Sequence, residues 1–269
     1  MNATGIKSKA LTDKQIAEAL YTQAPYNLQK AEIHRGKLVT DSEKLKALNS
    51  SDRYDPNAEG GISPRWLPGS DAATYCAQAE EHDSMGTMEE TWASIKSQME
   101  KRMRKFHNLK AGLPQPRVSV ANHGDNGADW MNERDEIELL VIGWGSTKDV
   151  IQDVMCSEEL RERRIAHLHY TYLWPLCTDE LEKMAKRSKR IVLVEQNYQG
   201  QLGMLIRMEC GLDIPDKILK YDGRPFFYDE LLSLLLEKFA DKTKGPRGFV
   251  SAATKENNLR GPEPACSSS

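Results

Sequence analysis

From about residue 135 to residue 240 the chain repeats one pattern, a short apolar run followed by a stretch in which apolar residues recur every three or four positions. Glu138 to Ile142, Ile165 to Tyr170, Ile191 to Glu195 and Ile218 to Tyr221 have the length and the Val, Ile and Leu content of strands. Helical patterns lie between and after them. Ser146 to Met155 places Val150, Ile151, Val154 and Met155 on one face, and Thr178 to Arg187 does so with Leu181, Met184 and Ala185. Gln201 to Cys210 is closed by Gly211, and Asp229 to Phe239 is rich in Leu. Parallel strands need a crossover to return, and here every gap holds a helix, so the pattern predicts right-handed βαβ units. Runs as continuous as Ile191 to Val194 imply burial on both faces. The expected class is therefore α/β: one domain over 135–240, a mostly parallel sheet with flanking helices.

The first 134 residues read differently. Residues 1–83 are largely irregular, with one short helix expected over Asp13 to Leu20 behind the Thr12-Asp13 cap signal. Pro25, Gly36, Pro56, Gly60, Gly61, Pro64, Pro68 and Gly69 then keep the chain extended. A connector of that length usually lies against another domain or chain. Residues 84–134 begin with Met88, Trp92, Ile95, Met99, Met103 and Phe106 at helical spacing, which predicts a long amphipathic helix from Thr87 to Lys110, stopped by Gly112, Pro114 and Pro116. Its basic run, Lys101, Arg102, Arg104 and Lys105, reads as a solvated last turn that complements the helix dipole. Residues 117–134 read as a polar linker, and 241–269, rich in Lys, Gly, Pro, Asn and Ser, as a disordered tail.

Charge and cysteine usage narrow the function classes. Lys and Arg total 37 against 40 Asp and Glu, a net charge of −3 that leaves no cationic excess for a nucleic-acid backbone. No stretch approaches the roughly 20 apolar residues of a membrane span, and no apolar segment follows the N-terminal lysines, so a cytoplasmic protein is expected. The five cysteines, at 76, 156, 177, 210 and 266, show no zinc-ribbon or cluster spacing, so no metal is expected in this chain.

Several local motifs are candidates for chemistry. Gly143, Gly145, Ser146 and Thr147 follow the first strand and open a helix, a place where backbone N–H groups and a hydroxyl can meet an anion; the plainer reading is a tight turn with Ser146 or Thr147 as N-cap. The run Glu80, Glu81, His82, Asp83 suits capping or an interface better than a metal, because consecutive side chains do not converge on one point. His167 and His169 share a strand face with no visible third ligand and read as half-buried strand residues. Asn197, Tyr198 and Gln201 leave a buried strand at the sheet's carboxyl edge. Amides do not titrate and an exposed Tyr anchors contacts well, so these three are expected at an interface with another subunit or domain, with packing inside the domain as the alternative.

Taken in order, a series of motifs resembles a known family. The series is Arg35-Gly36-Lys37, Gly61-Ile62-Ser63-Pro64-Arg65 with Leu67-Pro68-Gly69, Glu81-His82-Asp83, Glu100-Lys101-Arg102, Gly143 to Thr147, Leu173-Trp174-Pro175, Asn197-Tyr198 with Gly200-Gln201-Leu202, and Lys220 to Phe226. It resembles the C-terminal part of the alpha subunit of 2-oxoacid:ferredoxin oxidoreductases, the 2-oxoglutarate type in particular, from about Leu11 to Phe239. The resemblance implies a transketolase C-terminal-like domain over 135–240, preceded in 1–83 by the end of a pyrimidine-binding domain and its connector. It also implies oxidative decarboxylation of a 2-oxoacid, acyl transfer to coenzyme A and reduction of ferredoxin, in a complex with magnesium and with thiamine diphosphate between a pyrimidine-binding domain of the alpha subunit and a pyrophosphate-binding domain of the beta subunit, which also carries a 4Fe–4S cluster.

The chain departs from that family in two ways. The Tyr-Pro-Ile-Thr-Pro segment of such alpha subunits is not found before residue 60, and no Gly-Asp-Gly…Asn-Asn signature for thiamine diphosphate occurs. The expectation is a C-terminal piece with no cofactor and no complete active site of its own, joined to partner chains; the alternative is a non-catalytic interaction module. Arg65 is the residue expected to face an interdomain crevice, since Pro64 pre-orders its backbone and a guanidinium suits a carboxylate or phosphate of substrate or coenzyme A; the alternative is a surface Arg paired with a nearby carboxylate.

Overall fold

The computed structural model describes residues 35–77, 80–121 and 136–240. The helix expected at Asp13 to Leu20, most of the 117–134 linker and the tail from residue 241 lie outside the described residues. The chain divides into two compact units, one ending at Leu113 and one starting at Pro114. Among the described residues no helix is long and apolar enough to cross a membrane.

The second unit is an α/β domain, as the alternation predicts. It contains β1 (Arg117–Val120), β2 (Leu139–Trp144), α3 (Thr147–Met155), β3 (Ile165–Tyr170), α4 (Asp179–Lys186), β4 (Ile191–Glu195), α5 (Gln201–Cys210), β5 (Lys217–Leu219) and α6 (Tyr228–Ala240). The labels α1 and α2 belong to the first unit. The five strands lie in the order β1-β3-β2-β4-β5, and every pairing is parallel except β1 with β3. The period-two alternation of strand side chains divides the core into two layers. Leu140, Ile142, Leu168 and Leu193 pack with Leu181 and Met184 of α4 and Leu202 and Ile206 of α5. Leu139, Val141, Val192 and Val194 pack with Ile151 and Val154 of α3 and Leu231 and Leu235 of α6. Burial on both sides explains why these strands read as unbroken apolar runs.

One element contradicts the sequence reading. Arg117 to Val120 is an edge strand, with Val118 and Val120 against the first core layer and Ser119 accepting a hydrogen bond from Gln152 Nε2 on the other face at 3.0 Å. Its Arg-Val-Ser-Val alternation is only four residues long. An edge strand buries half of itself, so the segment passes for a polar linker until its neighbour is known.

The first unit is built around Trp66, which is 5% exposed and donates Nε1–H to Ala73 O at 2.9 Å. Arg65 and Lys37 join the two extended segments: Arg65 N–H donates to Lys37 O at 3.0 Å and Val39 N–H to Arg65 O at 2.9 Å. The unit also contains α1 (Ser42–Ala47), whose N-terminus is capped by the Asp41 carboxylate accepting from Lys44 N at 2.9 Å, and the long helix α2 (Trp92–Gly112).

Helix α2 overturns the reading of its basic run as a solvated last turn for Lys101, which is buried, and Lys105, which is half-buried, while Arg102 and Arg104 are exposed. Gln98 and Lys101 are its buried residues, whereas Trp92, Met99 and Met103 are exposed. The basic side packs because Gly61, at φ 74°, lets the connector lie against the helix backbone; a Cβ there would stand 2.5 Å from Lys101 O and 2.9 Å from Lys105 N. Gln98 Nε2 then donates to Tyr54 O at 2.9 Å, and Asn108 Nδ2 to Gly60 O at 3.1 Å. Helical periodicity correctly indicates two faces but does not say which one meets the rest of the unit.

Candidate functional site

The packed side of α2 and the connector enclose a cavity of about 370 Å³, inside the range of roughly 300–1,000 Å³ usual for ligand sites. Of its fourteen lining residues, Arg35, Lys37, Arg53, Arg65, Lys101, Arg102 and Lys105 are cationic and none is a carboxylate. The connector's two extended segments deliver Arg35, Lys37 and Arg65, and Arg65 Nε donates to Arg35 O at 3.0 Å, which fixes the guanidinium in the cavity wall. Successive turns of α2 deliver Lys101, Arg102 and Lys105.

These cations are not equivalent. Arg102 is paired with Glu81 in a two-bond fork, both at 2.6 Å, and this holds the Glu81 carboxyl below its usual range. Burial pushes the Lys101 ammonium down to about 8, with Lys105, Arg53 and Arg104 acting in the same direction. Burial, followed by Arg53 and Arg102, also lowers Lys105. Nearby, Asp83 closes a turn by accepting from Met85 N and Thr87 N, and His82 packs its ring on Tyr54 with centroids 4.0 Å apart. Glu81, His82 and Asp83 thus turn to three different partners.

In the second unit the chain steps to β3 on one side of β2 and then to β4 on the other, so the open end between β2 and β4 is where sheets of this kind place ligands. Here that end is bridged by the protein itself. Trp144 Nε1 donates to Glu195 Oε1 at 2.9 Å, Ser146 Oγ to Gln196 Oε1 at 2.9 Å, and Thr147 Oγ1 to Trp144 O at 2.9 Å. The four anion-site candidates therefore form the turn into α3, with both hydroxyls committed to internal bonds. Ser146 is the N-cap by position, but its side chain makes no cap bond. Gly143 has no room for a side chain, because a Cβ would meet Thr147 Oγ1 at 2.8 Å.

The three interface candidates part company. Asn197 turns inward: Nδ2 donates to Glu195 Oε1 at 2.8 Å, and Oδ1 accepts from Gly200 N at 2.6 Å and Gln201 N at 3.2 Å. The left-handed Gly200 bends the chain so that this amide reaches the first N–H groups of α5, and the interface expectation for Asn197 is corrected accordingly. Tyr198, 71% exposed, sets its ring edge-on to Tyr221 at 4.9 Å, and Gln201 is exposed. Replacing Tyr198 and Gln201 together by Ala is expected to change the chain's melting temperature by less than about 2 °C, since exposed substitutions usually stay within about 0.5 kcal/mol. Association with a partner subunit, read by copurification, should fall; unchanged association with a lower melting temperature would make the pair structural.

Sequence reasoning missed the cavity and the role of Glu195. The close approach at Gly60-Gly61, two glycines in a row before Ser63-Pro64-Arg65, was the signal for the first. Nothing local marks the second, because Glu195 looks like the polar end of a strand.

No protein-family model matches the chain. Two archaeal relatives are the alpha subunit of 2-oxoacid:ferredoxin oxidoreductase 1 of Sulfurisphaera tokodaii, 30% identical over 238 residues, and that of oxidoreductase 2 of Aeropyrum pernix, 31% identical over 225. These alignments cover 87% and 82% of this chain but 34% and 32% of the relatives. The 2-oxoglutarate oxidoreductase subunit KorA of Mycobacterium tuberculosis is 31% identical over 156 residues, 55% of this chain and 23% of KorA. Among solved structures, the 2-oxoglutarate:ferredoxin oxidoreductase of Magnetococcus marinus, with 2-oxoglutarate, coenzyme A and succinyl-CoA bound, superposes at a TM-score of 0.60 and 24% identity, over 71% of this chain and 31% of that one, and shows the shared fold. These relatives are themselves subunits of multi-subunit oxidoreductases. The chain is similar to alpha subunits of 2-oxoacid:ferredoxin oxidoreductases over 82–87% of its length, and it spans about a third of the length of those relatives.

Among the described residues no donor set fits the magnesium or iron–sulfur cluster that the family resemblance implies for such complexes. Among the described residues no group of three His, Cys, Asp or Glu side chains comes together, and Cys76, Cys156, Cys177 and Cys210 are separate free thiols, so four thiolates for an iron–sulfur cluster are not assembled. The cavity has cations but no carboxylate among its lining residues, which does not suit the magnesium that accompanies thiamine diphosphate.

Proposed function

We propose that this chain is the C-terminal portion of the alpha subunit of a cytoplasmic 2-oxoacid:ferredoxin oxidoreductase of the 2-oxoglutarate type. Its α/β domain is the scaffold on which the catalytic halves assemble. The complex converts a 2-oxoacid and coenzyme A to acyl-CoA, carbon dioxide and reduced ferredoxin, and its thiamine diphosphate, magnesium and 4Fe–4S cluster are held by other chains, the beta subunit among them. The names of the Mycobacterium tuberculosis relative and of the Magnetococcus marinus structure favour 2-oxoglutarate.

The observation that carries this reading is the cation-lined cavity around Arg65, in a chain related to these alpha subunits. A guanidinium held through Nε keeps its two terminal nitrogens as a planar fork, the geometry that grips a carboxylate or phosphate oxygen pair. Arg65→Ala in the reconstituted complex is expected to raise the KM for the oxoacid or for coenzyme A by roughly tenfold or more, the loss of about 1.4 kcal/mol or more of binding. Unchanged KM values for both would leave Arg65 a structural residue of the connector. Copurification from the native source tests the wider reading, which requires a beta subunit carrying thiamine diphosphate and an iron–sulfur cluster.

A further inference from the structure

Three of the cavity's lining cations, Arg53, Lys101 and Lys105, make no ion pair among the described residues, and no carboxylate lines the cavity with them. Lys101 is 8% exposed, and Nζ donates to Ser63 Oγ at 2.7 Å, a neutral partner. Lys105 is half-buried and makes no ion pair among the described residues. The Arg53 guanidinium lies 5.3 Å from the Tyr54 ring centroid and 5.4 Å from that of Tyr75, and its buried Nε has no hydrogen-bond partner among the described residues. The contrast with Arg102, which holds Glu81 in a fork, is sharp. Bringing like charges together at half-burial is unfavourable unless something compensates them, and no carboxylate lines this cavity.

We propose that this part of the cavity is a metal-free phosphate site, in which Arg53, Lys101 and Lys105, with the Ser63 hydroxyl, hold a phosphate-class oxyanion carrying at least two negative charges. The proposal rests on the reading of Arg65 above and deepens it by naming a ligand group for other residues that line the same cavity. Two ammonium groups act as point charges that can meet separate oxygens of a tetrahedral anion, whereas one carboxylate offers two oxygens in a plane and a single charge. The Ser63 oxygen accepts from Lys101, which leaves its own O–H to donate to a further ligand oxygen. Burial, and after it Lys105, Arg53 and Arg104, lowers the proton affinity of Lys101, Asp55 opposes them, and a dianion bound beside the ammonium would raise it.

Isothermal titration of the full chain at matched ionic strength, with inorganic diphosphate, adenosine 3′,5′-bisphosphate and 2-oxoglutarate as separate probes, tests this. At least one phosphate probe should bind tenfold or more tightly than 2-oxoglutarate, and Lys101→Met should weaken that binding at least tenfold. Without ligand, Lys101→Met should raise the melting temperature, because it removes a desolvated, uncompensated charge; a purely structural Lys101 would lower it. Preference for the bisphosphate would assign the site to a nucleotide-like coenzyme, and preference for diphosphate to a free phosphate; both support the proposal. No phosphate binding, equal binding of 2-oxoglutarate, or unchanged affinity in Lys101→Met would overturn it. Should that variant fail to fold, Lys105→Gln followed by phosphorus NMR gives the same decision. The assay needs no other subunit, so a chain that binds diphosphate yet copurifies with no beta subunit would refute the oxidoreductase reading and leave this one standing.

Discussion

Glu195→Ala is expected to destabilise the α/β domain by about 3–5 kcal/mol, the cost of leaving several buried donors unpaired at roughly 1–3 kcal/mol each. Glu195 is fully buried at the end of β4, and its carboxylate accepts Leu202 N–H at 3.0 and 3.1 Å, Trp144 Nε1–H at 2.9 Å and Asn197 Nδ2–H at 2.8 Å. One side chain thereby joins the exits of β2 and β4 to the first turn of α5. Truncating it strands an indole N–H, an amide and a helix N-terminal N–H at once. For a chain of this size the melting temperature should fall by about 6–20 °C, at some 2–4 °C per kcal/mol. Glu195→Gln keeps the volume and one acceptor oxygen, but its amide nitrogen faces donors, so an intermediate loss is expected. A melting temperature within 2 °C of wild type for Glu195→Ala would contradict the hub role.

Acidification should unfold the same domain earlier than carboxylate titration would require. Burial pushes His167 down to about 3, with His169 and Lys148 acting in the same direction, and pushes His169 down to about 4, with Lys148 and Arg117 adding to the effect and Asp149 opposing it. Neither ring nitrogen of His167 has a hydrogen-bond partner among the described residues. In the unfolded chain both histidines take a proton near pH 6.5, whereas in the folded chain they stay neutral until far lower pH. Their stabilising effect is therefore fully present above about pH 6.5 and is lost as the pH falls toward about 4. The slope is up to about 1.4 kcal/mol per pH unit for each histidine. Urea midpoints at pH 7, 6 and 5 should show this slope in the wild type, and His167→Leu should remove about half of it. An identical pH slope in the variant would mean that other groups drive acid unfolding.

These two predictions also show where local reading stopped. His167 and His169 appear in the sequence as alternate residues of a strand and so share a face, which the structure bears out. Only the tertiary structure shows them buried and not half-buried, His167 completely and His169 to 7% exposure, in a strand that lies inside the sheet between β1 and β2. The strand from Ile191 to Glu195 was legible to the residue, as was the helix from Gln201 to Cys210 stopped by the left-handed Gly211. The function of Glu195 was not, since it depends on an indole 51 positions away.

What the sequence alone determined is the succession of strands and helices in residues 135–240 and hence the α/β class, because apolar periodicity and glycine stops act over a few residues. The ordered motifs likewise pointed to the family. What only the tertiary structure decided is which side of each element is used. The 98, 101 and 105 side of α2 is the packed one because Gly61 admits the connector there, and that choice turns Lys101 and Lys105, members of a basic run that looked solvated, into lining residues of a cavity. In the same way Arg117 to Val120 becomes a strand because β3 presents a free edge to it, and Asn197 turns from a surface amide into a cap because Gly200 folds the chain back. Periodicity is a property of one segment, whereas facing is a property of two, and a one-dimensional pattern holds no term for the second segment.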